Sequence, residues 1–127
     1  RILIHDCLIF ASTQTGVSIK DILGPSLLRS VVEARHLGMW LARKYTTGSL
    51  QSVTNKFGRT EHTTVRNAVS AVKRKKARSK TFAAQLEEDE LAFMVFARAA
   101  AERRAAATQA AIAASPASPA TQPETAP

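Results

Sequence analysis

Cysteine is almost missing from this chain of 127 residues, where Cys7 stands alone. That excludes an internal disulfide framework and a Cys-rich zinc site. Histidine is also scarce, and His5 and His36 are far apart with that single cysteine between them. A metal site needs roughly three or four ligands, so no metal is expected. The five glycines form no GxxxxGK[ST] phosphate loop, which excludes a nucleotide-driven motor. No apolar run approaches the ~20 residues of a membrane-spanning helix. His62 has no nucleophile or carboxylate cluster to accompany it, so neither an enzyme nor a cofactor is expected.

Acids are few as well, but unevenly so. Residues 1–80 hold 15 Lys and Arg against four acids, Asp6, Asp21, Glu33 and Glu61. Residues 81–127 hold three Arg against six acids. The net charge of +8 and the pI near 10.4 therefore belong to the first two-thirds. The partners this favours are polyanions, nucleic acid first and an anionic membrane surface second. From Ala97 to Ala114 the sequence is mostly alanine, and four of the five prolines follow Ser115. A Pro/Ala/Ser stretch cannot bury enough apolar surface to offset its ordering entropy, so 115–127 reads as a disordered tail. The first residue is Arg1, as expected of a trimmed segment or a mature form of something longer. Residues 1–10 are apolar enough to suggest a signal-peptide core, but His5 and Asp6 interrupt it and no clean cleavage site follows.

The periodicity predicts an all-α fold: a small helical domain of about five helices over 1–80, an alanine-rich helical extension over 81–114, then the tail. Ile4, Leu8 and Ile9 mark a helix over 2–14 that Gly16 stops. Ser18 and Asp21 open a short helix over 18–23, and Gly24-Pro25 breaks it. A longer helix spans 29–46, with Val32, Leu37, Leu41 and Tyr45 on its apolar stripe and Trp40 beside them as a core residue. Ser49 caps a helix over 50–57 carrying Leu50, Val53 and Phe57. Gly58-Arg59-Thr60 makes a turn, and Thr60 caps a basic helix over 61–76 with Val65, Ala68, Val69 and Val72 on one side. Cys7, among Ile4, Leu8 and Phe10, reads as a small buried residue.

Two helices joined by a short glycine turn, the second basic on its outer face, form a helix-turn-helix. The outer face of the second helix shows His62, Thr63, Arg66, Asn67, Lys73 and Arg74. Its first turn would point most directly at base edges in the major groove of double-stranded DNA. There Glu61 can accept from cytosine, and Thr63 and Thr64 offer hydroxyl and methyl groups. Arg59, Arg66 and Lys73 can neutralise phosphates. The bland alternative is a helical hairpin with a solvated charged face.

The stretch Leu50-Gln-Ser-Val-Thr-Asn-Lys-Phe-Gly-Arg-Thr-Glu-His-Thr-Thr-Val65 resembles the C-terminal DNA-binding domain of the bacterial chromosomal replication initiator DnaA family. That family shows a leucine-led helix, a Phe-Gly turn, then Asp-His-Thr-Thr-Val. Arg29-Ser-Val, Ala34-Arg-His-Leu-Gly-Met-Trp-Leu-Ala42 and Val17-Ser-Ile-Lys-Asp-Ile22 extend the likeness over roughly 15–76. The resemblance implies DNA binding without the family's ATPase domain, in replication initiation or transcription regulation, and a cytoplasmic, nucleoid-associated location. It implies contacts from His62, Thr63 and Thr64, and phosphate contacts from Arg35 and His36. Glu61 stands where the family has Asp. The family's basic loop, with its minor-groove arginine, is here Gly24-Pro-Ser-Leu-Leu28, so the initiator's own recognition site is not assumed: the alternatives are a relaxed or different sequence, or reliance on the avidity of a dimer.

Residues 81–114 admit two readings. Leu86, Phe93, Val95, Phe96 and Ala97 either fold back on the domain or serve a homodimer or a protein partner. The alternatives to sequence-specific DNA binding are therefore a protein–protein interaction module with weak or non-specific DNA binding and, weakest, a membrane-surface binder.

Overall fold

The structure is a computed structural model that describes residues 1–114; the tail expected over 115–127 lies outside the described residues. Local signals set most helix ends. Asp6 reaches back to accept the Leu3 N–H at 2.9 Å, opening α1 (Ile4–Thr15), and Gly16 closes it at φ 79°. The Ser18 hydroxyl accepts the Asp21 N–H at 3.1 Å and starts α2 (Ile19–Leu23). After loop 24–28 comes α3 (Arg29–Tyr45). Ser49 caps α4 (Leu50–Lys56), and Ser79 caps α6 (Lys80–Ala114) by accepting the Phe82 N–H at 3.0 Å. Between them lies α5 (His62–Arg78). No strand occurs among the described residues.

Two expectations need correction. Glu61, not Thr60, occupies the cap position of α5, and its side chain makes no capping bond. The stripe of α3 runs through Val31 rather than Val32, which is only half-buried. The cause is that α3 is enclosed on nearly every side. Ala34, Leu37, Gly38, Met39, Trp40, Leu41 and Ala42 are all buried, because α1, α2, α4 and α5 all pack on this helix.

The first five turns of α6 share that core. Leu86, Phe93 and Ala97 are buried. The Phe93 ring meets Phe10 edge-on at 5.4 Å and Tyr45 at 5.8 Å, and Phe96 stands 5.6 Å from Phe10. Aromatic pairs at these separations add to simple burial. The folded-back reading thus accounts for Leu86, Phe93 and Ala97, whereas Val95 is 72% exposed. Past Ala100 no described residue of α6 is buried.

Polar contacts fix the register of α6. Glu90 accepts from Trp40 Nε1 at 2.7 Å, Tyr45 Oη at 2.6 Å and Lys44 Nζ at 2.9 Å. Burial alone would raise the Glu90 carboxyl, but the bonds from Tyr45, Lys44 and Trp40 outweigh it and hold it below its ordinary value. Arg104 forks onto Asp6, Nη1 to Oδ1 at 2.9 Å and Nη2 to Oδ2 at 3.2 Å, and also donates to the Arg1 carbonyl at 2.7 Å. Asp6 is buried, so this ion pair ties the distal part of α6 to the start of α1. Burial pushes the Cys7 thiol up to about 12, with Asp6 adding to the effect, so the thiol is inert at neutral pH.

Phe93→Ala should destabilise the domain by about 3 kcal/mol, and Val95→Ala by under about 0.5 kcal/mol. Urea unfolding monitored by Trp40 fluorescence measures both, and equal effects would mean that α6 is not part of the core. Because the folded Glu90 carboxyl lies below its ordinary value, its contribution is full above that value and fades as the pH falls through the folded one. Glu90→Gln should therefore lower stability by about 1 kcal/mol near neutral pH. The gap from the parent protein should close on acidification.

Candidate nucleic-acid interface

The turn between α4 and α5 is built from inside outward. Phe57 is fully buried, and a Cβ on Gly38 would stand 2.8 Å from its Cε2 and Cζ atoms. Only glycine lets α3 approach the ring this closely. Gly58 follows at φ 71°, the left-handed region that favours glycine. Three backbone bonds then close the turn: Phe57 N–H to the Val53 carbonyl at 3.1 Å, Gly58 N–H to Asn55 at 3.0 Å and Arg59 N–H to Thr54 at 2.9 Å. The axis of α5 leaves this turn in a fixed direction.

Helical geometry then sorts the side chains of α5. Val65, Ala68 and Val72 face the core. At roughly 100° per residue the opposite row is Thr63, Asn67, Ser70 and Arg74, and all four are exposed. Arg66 and Lys73 flank that row and are exposed too. Thr63, Arg66, Asn67 and Lys73 are thus brought onto one open face, joined by Ser70, which the sequence reading passed over. The signal was available: Ser70 lies across the helix from the Val65–Ala68–Val72 stripe. His62 is half-buried and its Nε2 hydrogen-bonds Gln51 Oε1 of α4. Gln51 is a second omission, since it fixes the imidazole at the head of α5. Thr64 is half-buried. Glu61 is exposed, and its carbonyl accepts the Thr64 N–H at 3.1 Å. No side chain caps the first turn of α5, so its leading amides remain available to an acceptor.

Arg35 and Arg59 do something different. Arg35 is 5% exposed. Its Nε donates to the Ile22 carbonyl at 2.8 Å, and its Nη2 to the carbonyls of Asp21, Gly24 and Ser26 at 3.1–3.2 Å. Arg59 Nη2 donates to Ile22 at 3.0 Å and Gly24 at 2.6 Å, and its Nε is buried without a partner. The two guanidiniums therefore clamp loop 24–28 onto the helix-turn-helix. Burial, then the neighbouring Arg59 charge, push the Arg35 guanidinium down from its ordinary value. His36 is half-buried. Burial and then Arg35 lower its imidazole, with Lys75 in the same sense and Glu33 opposing. It is therefore neutral near pH 7 and can offer a hydrogen bond but no charge.

Lys75 and Lys76 at the far end of α5 are partly engaged. Lys75 pairs with Glu33 at 3.2 Å and lies 4.7 Å over Phe82, and Lys76 lies 6.0 Å over Trp40. Trp40 is 8% exposed and packs as a core residue, as expected. Among the described residues, no group of three or more His, Cys, Asp or Glu could hold a metal ion.

The profile of the bacterial DnaA protein helix-turn-helix family matches residues 8–72. The chromosomal replication initiator protein DnaA of Roseobacter denitrificans is 33% identical over 76 residues, 60% of this chain and 17% of that protein. The protein of the same name from Caulobacter vibrioides is 33% identical over 87 residues, covering 68% and 18%. That from Streptococcus mutans is 33% identical over 72 residues, covering 57% and 16%. The matched region spans less than a fifth of these relatives. The family profile runs from within α1 to Val72, through loop 24–28, the Phe57-Gly58 turn and the core stripe of α5, and the chain belongs to the bacterial DnaA helix-turn-helix family.

Proposed function

We propose that this chain binds double-stranded DNA by laying α5 in the major groove, with sequence preference set by the first half of the helix. One observation carries the reading: α5 holds six Lys and Arg and no acid, and among the described residues its outer row is exposed. Thr63 offers a hydroxyl and a methyl to base edges. Asn67 suits adenine N6 and N7, Arg66 suits guanine or a phosphate, and Glu61 can accept from cytosine N4. His62, held by Gln51, and Thr64 sit at the head of the helix as phosphate contacts, together with its free amides. Lys73 and Arg74 neutralise the backbone further along. Arg35 and Arg59 act through the loop they hold, and His36 adds at most a neutral hydrogen bond. The relatives are named as chromosomal replication initiators, so the process assigned here is replication initiation, at the nucleoid, with transcriptional control as the alternative use of the same face.

Selection from a random duplex pool at about 150 mM salt, where weak surface electrostatics are screened, should enrich one short motif. Affinity should fall steeply with added salt as counterions are released. Replacing both Thr63 and Asn67 by Ala should weaken binding to the motif by about tenfold or more, with little change for unrelated duplexes. Equal losses on both would remove α5 from the major groove.

The arginines should separate by a second measurement. Arg66→Ala should lower the salt slope by about one unit without moving the melting temperature. Arg35→Ala should lower the melting temperature, because it takes the side-chain donor from the Ser26 carbonyl and one of the donors from the Asp21, Ile22 and Gly24 carbonyls.

A further inference from the structure

The described residues leave six large apolar side chains exposed. Leu27 and Leu28 lie on loop 24–28, and the other four, Leu91, Met94, Val95 and Ile112, lie on α6. Three of those four fall on one row: Leu91, Val95, Arg98, Glu102, Ala105, Gln109 and Ile112. The row advances alternately by four and three residues, the spacing of a coiled-coil seam. Every member of it is exposed. At about 100° per residue it lies across the helix from Leu86, Phe93, Ala97 and Ala100, which face the core. Met94 flanks the row, beside an open groove that α6 forms with Ile2.

The far end of α6 is short of cover. No residue of 101–114 is buried, and Arg104 supplies the side-chain bonds that hold this stretch, to Asp6 and the Arg1 carbonyl. An isolated helix of that length is marginal in water. Its surface is mostly alanine, with Ala105, Ala106, Ala107, Ala110 and Ala111 all exposed. Small side chains of this kind admit a second helix closely. The chain carries a complementary surface in the other half of the same row, where Leu91 and Val95 stand exposed beside Met94. Large residues therefore occupy the first half of the seam and small ones most of the second.

We propose that α6 of one copy pairs with α6 of a second copy as an antiparallel, two-fold dimer centred near Ala100. The symmetry sets Val95 against Ala105 of the other copy and Leu91 against the stem of Gln109, with Ile112 one turn on. Large side chains then meet small ones and interdigitate. It also sets Arg98 against Glu102 of the other copy, twice. Within one helix these two already pair at 3.4 Å, with side chains 83% and 69% exposed, so the dimer closes a ring of two Arg and two Glu. A parallel pair would instead stack Arg98 on Arg98, Glu102 on Glu102 and alanine on alanine. Such an isologous contact uses the same patch on both copies and closes at two. The dimer does not rest on the DNA reading. Together with that reading it supplies two copies of α5 for paired half-sites.

Sedimentation equilibrium of the full chain at micromolar concentration should give twice the 13.7 kDa of one chain. Replacing Leu91 and Val95 together (L91E with V95E) should raise the dimer dissociation constant about a hundredfold or more, because carboxylates would enter the seam. Both positions are exposed, so the Trp40 fluorescence of the folded domain should stay unchanged. R98E alone and E102R alone should each weaken the dimer about tenfold, since each sets like charges against one another across the axis. Mixing these two variants should restore a heterodimer in which every facing pair is opposite in sign. A pair that acts only within its own helix gains nothing from mixing, so absence of this rescue would overturn the arrangement. Mild oxidation reads the orientation: V95C mixed with A105C should cross-link, and V95C alone should not. Cys7 is buried and stays out of the reaction. Self-linking of V95C without linking to A105C would overturn the antiparallel pairing. So would a dimer indifferent to L91E with V95E. Monomeric wild-type protein would overturn the dimer outright. Binding of that monomer to anionic vesicles, lost in L91E with V95E, would assign the row to a lipid surface instead. Duplex binding by the monomer would leave the α5 reading standing.

Discussion

The Phe57 ring packs so closely on Gly38 that a Cβ there would stand 2.8 Å from its Cε2 and Cζ atoms, and the direction of α5 depends on that contact. The ring is the last apolar group before the turn, and Gly58 after it takes a left-handed conformation. A larger residue at 38 would lift the ring, the turn and the head of α5 together, because a packed interior cannot absorb a methyl group without moving its neighbours. The Phe-Gly pair thus couples core packing to the placement of an outward face. The same rigidity fixes the backbone positions of Thr63, Asn67, Ser70 and Arg74 as one row.

Charge of one sign serves two purposes in this molecule. Arg66, Lys73 and Arg74 stand in water, where a cation costs little and a polyanion can displace its counterions. Arg35 and Arg59 are turned toward backbone carbonyls, where a planar guanidinium can serve several acceptors at once. Burying such groups is unfavourable unless their donors are used. Arg35 uses its donors on four carbonyls, and the loop they hold is the one that bears the two exposed leucines. The acids are distributed to match: Glu90 and Asp6 tie α6 to the domain, and Glu33 occupies Lys75.

Helix existence was readable from residue order because its causes are local. Gly16 stops α1, Ser18 and Ser49 cap α2 and α4, and the period of Val65, Ala68 and Val72 marks α5. The errors came where several elements meet. Val31 and Val32 are adjacent on a helix enclosed almost all round, so a single stripe was the wrong picture of α3. Thr60 is the better cap type, yet Glu61 holds the position without a side-chain bond, three residues after Gly58. For α6, the composition showed apolar residues on a polar helix but not their cover. Phe93 could be placed only once Phe10 and Tyr45, far away in sequence, were seen beside it.

The candidate interface divides along the same line. A basic helix after a Phe-Gly turn follows from residue types and spacing alone, since helical periodicity dictates which side chains lie opposite the apolar stripe. The partners of Arg35 and Arg59 do not follow from spacing. An arginine near a helix start is equally suited to a phosphate or to a carbonyl, and nothing local distinguishes the two. Only long-range packing brought α2, loop 24–28 and the turn before α5 within reach of the two guanidiniums, and so turned one pair of arginines inward while leaving Arg66 and Arg74 in solvent.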